Sequence, residues 1–386
     1  MPSIKPIDHQ YFDSRAIKDW QGPTLGESPP PFVPGLELCE QFYFEAVRPI
    51  LDRHFPELRH SAARMDYGSE VFGFDTELSR DHAWAPQVTL YLESEDLVTL
   101  KERLDATFQT ELPRTFRGYS TMGTDEFIWH MRATPSASDR HKVRIESLDS
   151  FFSTDLFGSP ERELSIADWL SIPAQKLRVY TSGKVFHDGL GRLAAIQKRL
   201  SWYPHDLWLH IMAVQWERIA EREAFPGRCV HVGDLQGAAW NVAWITRELA
   251  TLCFLIERHY PVYSKWFGTA FSRLRSACDL LPLFKAIEEA TEWPMLEELI
   301  CAAYTTAAKL HNTLKIAPVV EPEMRPYHQR PYSVLQCGRF ADALRSAICS
   351  DEVKQLPRGC GAVWQCVDSD ILLCDARFLA AYRRSL

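Results

Sequence analysis

The sequence predicts an α/β (α+β) domain followed by a mostly α-helical domain. Three observations carry this. The chain has 386 residues, long for one domain and comfortable for two. Up to about residue 159, short β-branched and aromatic runs alternate with helical patterns. Beyond it the apolar spacing is almost wholly helical, as a helix-on-helix layer requires. The expected organisation is a leader over 1–35, an α/β domain over 36–159, a helical domain over 160–320 and a helix-rich segment over 321–386.

Residues 20–35 are rich in Pro and Gly and predict a leader lying along the surface. Leu38, Phe42, Phe44, Val47, Ile50 and Leu51 recur at helical spacing, so Leu36–His54 is expected as an amphipathic helix. Ser61–Tyr67 predicts a short strand ending in a Gly68-Ser69 turn, and Val88–Glu93 a second strand. Asp96–Phe108 predicts a helix with Ser94 as N-cap. Phe116–Arg132 predicts a hairpin. Lys142–Asp149 alternates, setting Val143 and Ile145 on one face and Arg144 and Glu146 on the other.

Further on, helices are expected at Ala174–Val185, Gly191–Trp202, Asp206–Arg222, Val232–His259, Ser264–Ala277, Pro282–Thr291 and Met295–Ile316. Leu207, Ile211, Val214 and Ile219 form one core stripe; Leu249, Leu252, Leu255 and Ile256 form another. Trp202, Trp208, Trp216, Trp240 and Trp244 are expected in that core rather than as a base-stacking platform. Residues 317–333 are Pro-rich and predict a connector or lid. A strand is expected near Ala362–Val367.

Composition narrows the function classes. No apolar run reaches the roughly 18–20 residues that span a bilayer, so no membrane partner is expected. Met1-Pro2-Ser3-Ile4-Lys5-Pro6 has no apolar core of a secretory signal. The ten cysteines contain no Cys-x-x-Cys pair, which suits reduced, mostly buried thiols and a cytoplasmic location. A net charge of −8 argues against a protein that coats nucleic acid, and no DNA partner is expected.

The segment that carries chemistry is Gly68 to Trp84. A tight Gly-Ser turn lets backbone N–H groups and a hydroxyl approach phosphate oxygens. Two carboxylates two residues apart on a strand share a face and can hold Mg²⁺. A third from a neighbouring strand completes a two-metal clamp, with ions about 3.5–4 Å apart. Here Asp81 has Ala83 where the second carboxylate should be.

The wider text resembles a nucleotidyltransferase-like family of unknown function of the DUF4037 type. The resemblance rests on Gly68-Ser69-Glu70, Gly73-Phe74-Asp75-Thr76-Glu77, Ser79, Asp81-His82 and Trp84. It continues through Phe186-His187-Asp188-Gly189-Leu190-Gly191, Tyr203-Pro204, Asp206, Trp208, Gly227-Arg228-Cys229 and Gly233-Asp234. Tyr263-Ser264-Lys265-Trp266 and Gly268-Thr269-Ala270-Phe271 close it, so it covers about residues 40–280. It implies a nucleotidyltransferase-like α/β domain joined to a helical one. The family's acidic strand looks like Asp-His-Asp-Trp-Gly-Pro-Arg; this chain has Asp81-His82-Ala83-Trp84-Ala85-Pro86-Gln87. The family's third carboxylate aligns with Arg144, two residues before Glu146. The metal site is therefore degenerate, and Arg144 sets a fixed cation where the ion's charge would be.

The expectation is a diverged transferase of nucleotidyltransferase fold, using no metal cofactor and acting on a nucleotide- or tRNA-linked substrate. Its specific form is aminoacyl-tRNA-dependent synthesis of an arginine-containing cyclodipeptide. Ser69, Asp81 and Arg144 are the expected catalytic residues. Gly68, Glu70, Asp75, Glu77 and Glu146 would bind substrate, Glu70, Asp75 and Glu77 receiving a cationic group. Arg228, Asp234, Tyr263 and Lys265 would bind it from the helical domain, across a cleft between the two. One rival is a Mg²⁺-dependent nucleotidyltransferase for a small molecule, with Asp81, Glu146 and Glu77 as ligands. The other is a non-catalytic nucleotide-binding protein.

Overall fold

The structure, a computed structural model, describes residues 30–77, 79, 84–123 and 140–386. Its first described helix runs through Gly35–Phe42, Tyr43–Val47 and Arg48–His54, the middle segment being a π-turn. The extra residue of a π-turn rotates the face. Tyr43 is thereby buried and Phe44, expected inside, is exposed; Leu38, Phe42, Val47, Ile50 and Leu51 are buried as expected. The helix start is held from far along the chain. Asp75 accepts from the Gly35 N–H at 2.7 Å and from the Trp84 indole at 3.0 Å. A Cβ at Gly35 would lie 2.6 Å from both Glu70 and the Trp84 ring, so only glycine allows the approach.

The sheet contains β1 (Ser61–Arg64), β2 (Val88–Leu92), β5 (Val143–Ser147) and β6 (Lys184–Asp188), in the order β5-β2-β1-β6. β1 is antiparallel to β2 and β6, whereas β2 is parallel to β5. A parallel pair needs a crossover, and helix Ser94–Glu111 lies on it. Ser94 is that helix's first residue, not its cap, which falls at Glu93. Ala62, Val88, Leu90, Val143 and Ile145 face a core completed by Phe42, Val47, Leu104 and Phe108. The other face sets Thr89 against Arg144 and Tyr91 against Glu146. A two-residue ladder, β3 (Thr115–Phe116) with β4 (Tyr119–Ser120), forms the start of the expected hairpin. The remainder of that hairpin, 124–132, lies outside the described residues.

β6 replaces the last residues of an expected helix. The helix Ala174–Ser182 stops before Gly183. A Cβ at Gly183 would lie 2.5 Å from the Met65 side chain and 2.6 Å from the Arg64 carbonyl. Glycine there lets the chain close onto β1 as an edge strand.

By contact density the chain forms two compact units. One is Met1–Phe152 with Val179–Lys198; the other is Ser153–Arg178 with Arg199–Leu386. The second is largely helical, built on His205–Arg222, Leu235–Ile256 and Trp293–Thr313. Both expected core stripes are buried. Trp208 and Trp216 are core residues, their indoles donating to the Leu255 carbonyl at 2.8 Å and to His311 Nδ1 at 3.1 Å. Trp240 departs from the expectation and is 70% exposed. The expected strand near Ala362–Val367 is a helical turn, Val363–Cys366. Its Gln365 amide accepts from Ala362 N–H at 3.1 Å and donates to the Ile211 carbonyl at 3.0 Å, which fixes the turn. A short pair, β7 (Arg325–Pro326) with β8 (Ser333–Val334), forms within and at the end of the Pro-rich connector. Among the described residues no helix is long and apolar enough to cross a membrane.

Candidate functional site

At the end of β1, the Arg64 guanidinium pairs with Glu70 at 2.7 Å, their side chains only 6% and 2% exposed. Arg64 Nε donates to the same carboxylate oxygen at 3.0 Å, and its Nη2 also donates to the Tyr67 carbonyl. These bonds curl the chain between strand and turn. Gly68 adopts a φ of 153°, and a Cβ there would lie 2.2 Å from the Glu70 carboxylate. Conformation and space both require glycine. The turn is tightened by Gly73 N–H to the Glu70 carbonyl at 2.9 Å and Phe74 N–H to the Ser69 carbonyl at 3.0 Å.

β5 and the residues before Gly68 supply the rest. Arg144 lies 2.6 Å from Asp66 Oδ2 and 2.6 Å from Glu146 Oε1. Its guanidinium also stands 5.7 Å over the Phe151 ring. Asp66 in turn accepts the Tyr67 N–H at 2.7 Å, tying this cluster to the approach of the Gly68-Ser69 turn. Strand alternation therefore puts Arg144 and Glu146 on the polar face, as expected, and Asp66 links them to the turn. The Arg144 side chain is 54% exposed, open enough to meet a ligand, while Glu146 is 13% exposed. Burial raises the Glu146 carboxyl above its ordinary range, with Arg144 opposing and Asp66 reinforcing. Tyr91, fully buried opposite Glu146, keeps its proton for the same reason: burial, then the Glu146 and Asp66 charges, push its hydroxyl well up. The arrangement can offer a fixed positive charge, a carboxyl whose pKa burial raises, and a phosphate-compatible turn.

The three acidic residues expected to receive a cationic group are placed differently. Glu70 is enclosed by Arg64, and Asp75 holds the start of the first helix and the Trp84 indole. Glu77 lies on the surface. Two of the three thus brace the interior around the turn. Asp81, His82 and Ala83 lie outside the described residues. Among the described residues no three His, Cys, Asp or Glu side chains converge as metal ligands.

In the second unit, Asp234 caps helix Leu235–Ile256 by accepting from Gly237 N–H at 2.8 Å. Arg228 is exposed with its guanidinium 5.4 Å over the Phe225 ring. Lys265 is exposed with its ammonium 5.2 Å from the Trp266 ring centre, and Tyr263 immediately precedes helix Ser264–Phe271. Each of the four therefore sits at a helix end or against an aromatic ring.

Sequence reasoning missed Asp66 and Tyr91. The signal for Asp66 was present: a carboxylate two residues before Gly68, at the end of a strand. Tyr91 was hidden among β-forming residues, since nothing in Val-Thr-Leu-Tyr-Leu says which alternate residue faces Glu146.

Residues 169–267 match the model of a domain of unknown function, DUF4037. The match supports a DUF4037-type family of unknown function. It contains Tyr203-Pro204, Gly227-Arg228-Cys229 and Tyr263–Trp266, whereas the turn, Asp66, Arg144 and Glu146 precede it. A search of curated proteins found no match.

Proposed function

We propose that this chain is a transferase of nucleotidyltransferase-like fold that works without a two-metal centre, on a substrate joined to a nucleotide or a tRNA. The observation behind this reading is Arg144, lodged between Asp66 and Glu146 beside the Gly68-Ser69 turn. In a two-metal transferase such carboxylates would share a divalent ion. A guanidinium between them supplies positive charge that needs no ion and can face a developing oxyanion.

In its specific form the reaction is aminoacyl-tRNA-dependent synthesis of an arginine-containing cyclodipeptide. An aminoacyl ester is already activated, so its aminolysis requires positioning, proton transfer and charge stabilisation. The amine of one aminoacyl group attacks the ester carbonyl of the other. The amine gives up a proton and the tRNA 3′-oxygen departs carrying one. A second attack closes the ring, so two amide bonds form and two ester bonds break. In this reading Ser69 and the turn hold phosphate or ribose, Arg144 faces the oxyanion, and Glu146 relays the proton. Asp81 would anchor the amine.

The rival Mg²⁺-dependent nucleotidyltransferase gains one point from Asp66, which adds a carboxylate near Glu146. Pre-charged arginyl-tRNA and a mixture of other aminoacyl-tRNAs, incubated with the protein and followed by mass spectrometry, separate the readings. Cyclodipeptide formed in chelator and lost in Arg144→Gln is the expected result. Activity restored only by Mg²⁺, or no product under any condition, would overturn it.

A further inference from the structure

We infer that Cys360 and Cys366 are a modification site, a dithiol that a peroxide converts to a disulfide. Both lie in the second unit, so nothing here depends on the transferase reading of the first. Both are free thiols; Cys366 is exposed and Cys360 half-buried. One hydroxyl brings them together. The Cys366 Sγ lies 3.5 Å from the Tyr382 hydroxyl, and the Cys360 thiol hydrogen-bonds to that same hydroxyl. Two sulfurs on one oxygen can be swung toward each other by rotation about their own Cα–Cβ bonds.

The pair follows from the fold. His210 Nε2 donates to the Cys360 carbonyl at 2.7 Å, and the Tyr382 hydroxyl donates to the Gly361 carbonyl at 2.7 Å. A Cβ at Gly361 would lie 2.4 Å from Gln365 Oε1 and 2.8 Å from the Val214 side chain. Glycine there lets the loop lie close on helix His205–Arg222. The helical turn Val363–Cys366 then returns the chain to Tyr382. Tyr382 is placed independently, by helix Ala376–Ser385. That helix is docked through buried Leu379 and through Arg383, which pairs with the buried Asp168. Loop and phenol thus have separate anchors, and the two thiols meet where these converge.

Exposure sets the order of the two sulfurs. Cys366 meets the oxidant first. Burial raises the Cys360 thiol above its ordinary range, with Tyr382 opposing and Cys366 reinforcing, so Cys360 waits in its protonated form. The Cys366 sulfur attacks one peroxide oxygen. The O–O bond breaks, an S–O bond forms and water leaves, so the peroxide is reduced and Cys366 becomes a sulfenic acid. The Cys360 sulfur then attacks the Cys366 sulfur. The S–O bond breaks, and the departing hydroxide takes the Cys360 proton as a second water. One peroxide is consumed and one S–S bond forms. Tyr382 still has the Gly361 carbonyl, and Arg383 still has Asp168, so the helix keeps anchors that do not depend on the thiols.

The test treats the full, reduced chain with hydrogen peroxide at neutral pH, blocks the remaining thiols with N-ethylmaleimide and maps the products by mass spectrometry. Cleavage after Trp364 and before Asp368 puts Cys360, Cys366 and the exposed Cys374 on separate peptides. A Cys360–Cys366 disulfide is expected in about tenfold excess or more over Cys366–Cys374. Unfolding in urea should remove that preference, since the two spacings along the chain are similar. Cys360→Ser should leave Cys366 as a sulfenic acid that dimedone captures, and Cys366→Ser should leave Cys360 reduced. Cys374→Ser should form the disulfide as the parent does. No Cys360–Cys366 disulfide, an equal yield of Cys366–Cys374, or the same product ratio in urea would overturn the inference.

Discussion

Truncating Glu70 to Ala should destabilise the first unit by about 3–5 kcal/mol, the usual cost of stranding one partner of a buried ion pair. The basis is local. The Arg64 and Glu70 side chains are 6% and 2% exposed, so solvent can neither screen the pair nor rehydrate the survivor. After truncation the Arg64 guanidinium retains the Tyr67 carbonyl but loses its counter-charge. Removing both charges behaves differently. Arg64→Met with Glu70→Leu replaces the pair by apolar groups of similar length and should recover most of the loss. Hydrogen exchange of the β1 and β2 amides, read by mass spectrometry, reports this unit apart from the other. A loss of 3 kcal/mol corresponds to roughly a hundredfold drop in protection. A drop below about tenfold, or a double variant as unstable as Glu70→Ala, would refute the reasoning.

Arg144→Gln should change stability by no more than about 1 kcal/mol, because its ion pairs are half exposed. It should nonetheless abolish product formation; a large loss in melting temperature would instead mark a structural residue. Gly68→Ala should destabilise the turn and disturb Glu70, since its Cβ would lie 2.2 Å from that carboxylate; an unaltered exchange pattern at 64–74 would contradict this. Burial depresses the imidazoles of His60, in the first unit, and His311, in the second, each to about 4. Unfolded histidines titrate near 6.5, so between about 6.5 and 4 the unfolded chain binds more protons. Stability should fall as pH drops through that window, by up to about 3 kcal/mol for each residue. Trp216 donates to His311 Nδ1, so protonation there also breaks a bond. Urea midpoints at pH 7 and 4.5 should lie closer together in His311→Gln, with His60 keeping its share of the slope; an unchanged pH slope would rule the histidine out.

What the sequence disclosed was periodicity. The stripes of His205–Arg222 and Leu235–Ile256 are buried because 3.6-residue spacing leaves little choice of face. Alternation likewise separated Arg144 and Glu146 from Val143 and Ile145. Pairing was not disclosed. Nothing in the spacing from Arg64 to Glu70 announces a buried ion pair, and Asp75 meets Gly35 across 40 residues. Glu70 and Asp75 therefore read as an acidic site when they brace the interior. β6 was masked by its neighbours: Lys-Val-Phe-His-Asp is too short to oppose the helical pattern before it, and only the contact of Gly183 with β1 decides the outcome.

The sheet has a consequence for synthesis on the ribosome. β1 has two partners, and the second, β6, emerges about 120 residues after β1 itself. At about 5–20 residues per second, the outer edge of β1 waits roughly 6–24 s for its cover. During that interval its unpaired N–H and C=O groups are a template for any extended chain nearby. A nascent chain stalled after β5 but before β6 should therefore engage holding chaperones, and release them once Lys184–Asp188 has cleared the exit tunnel.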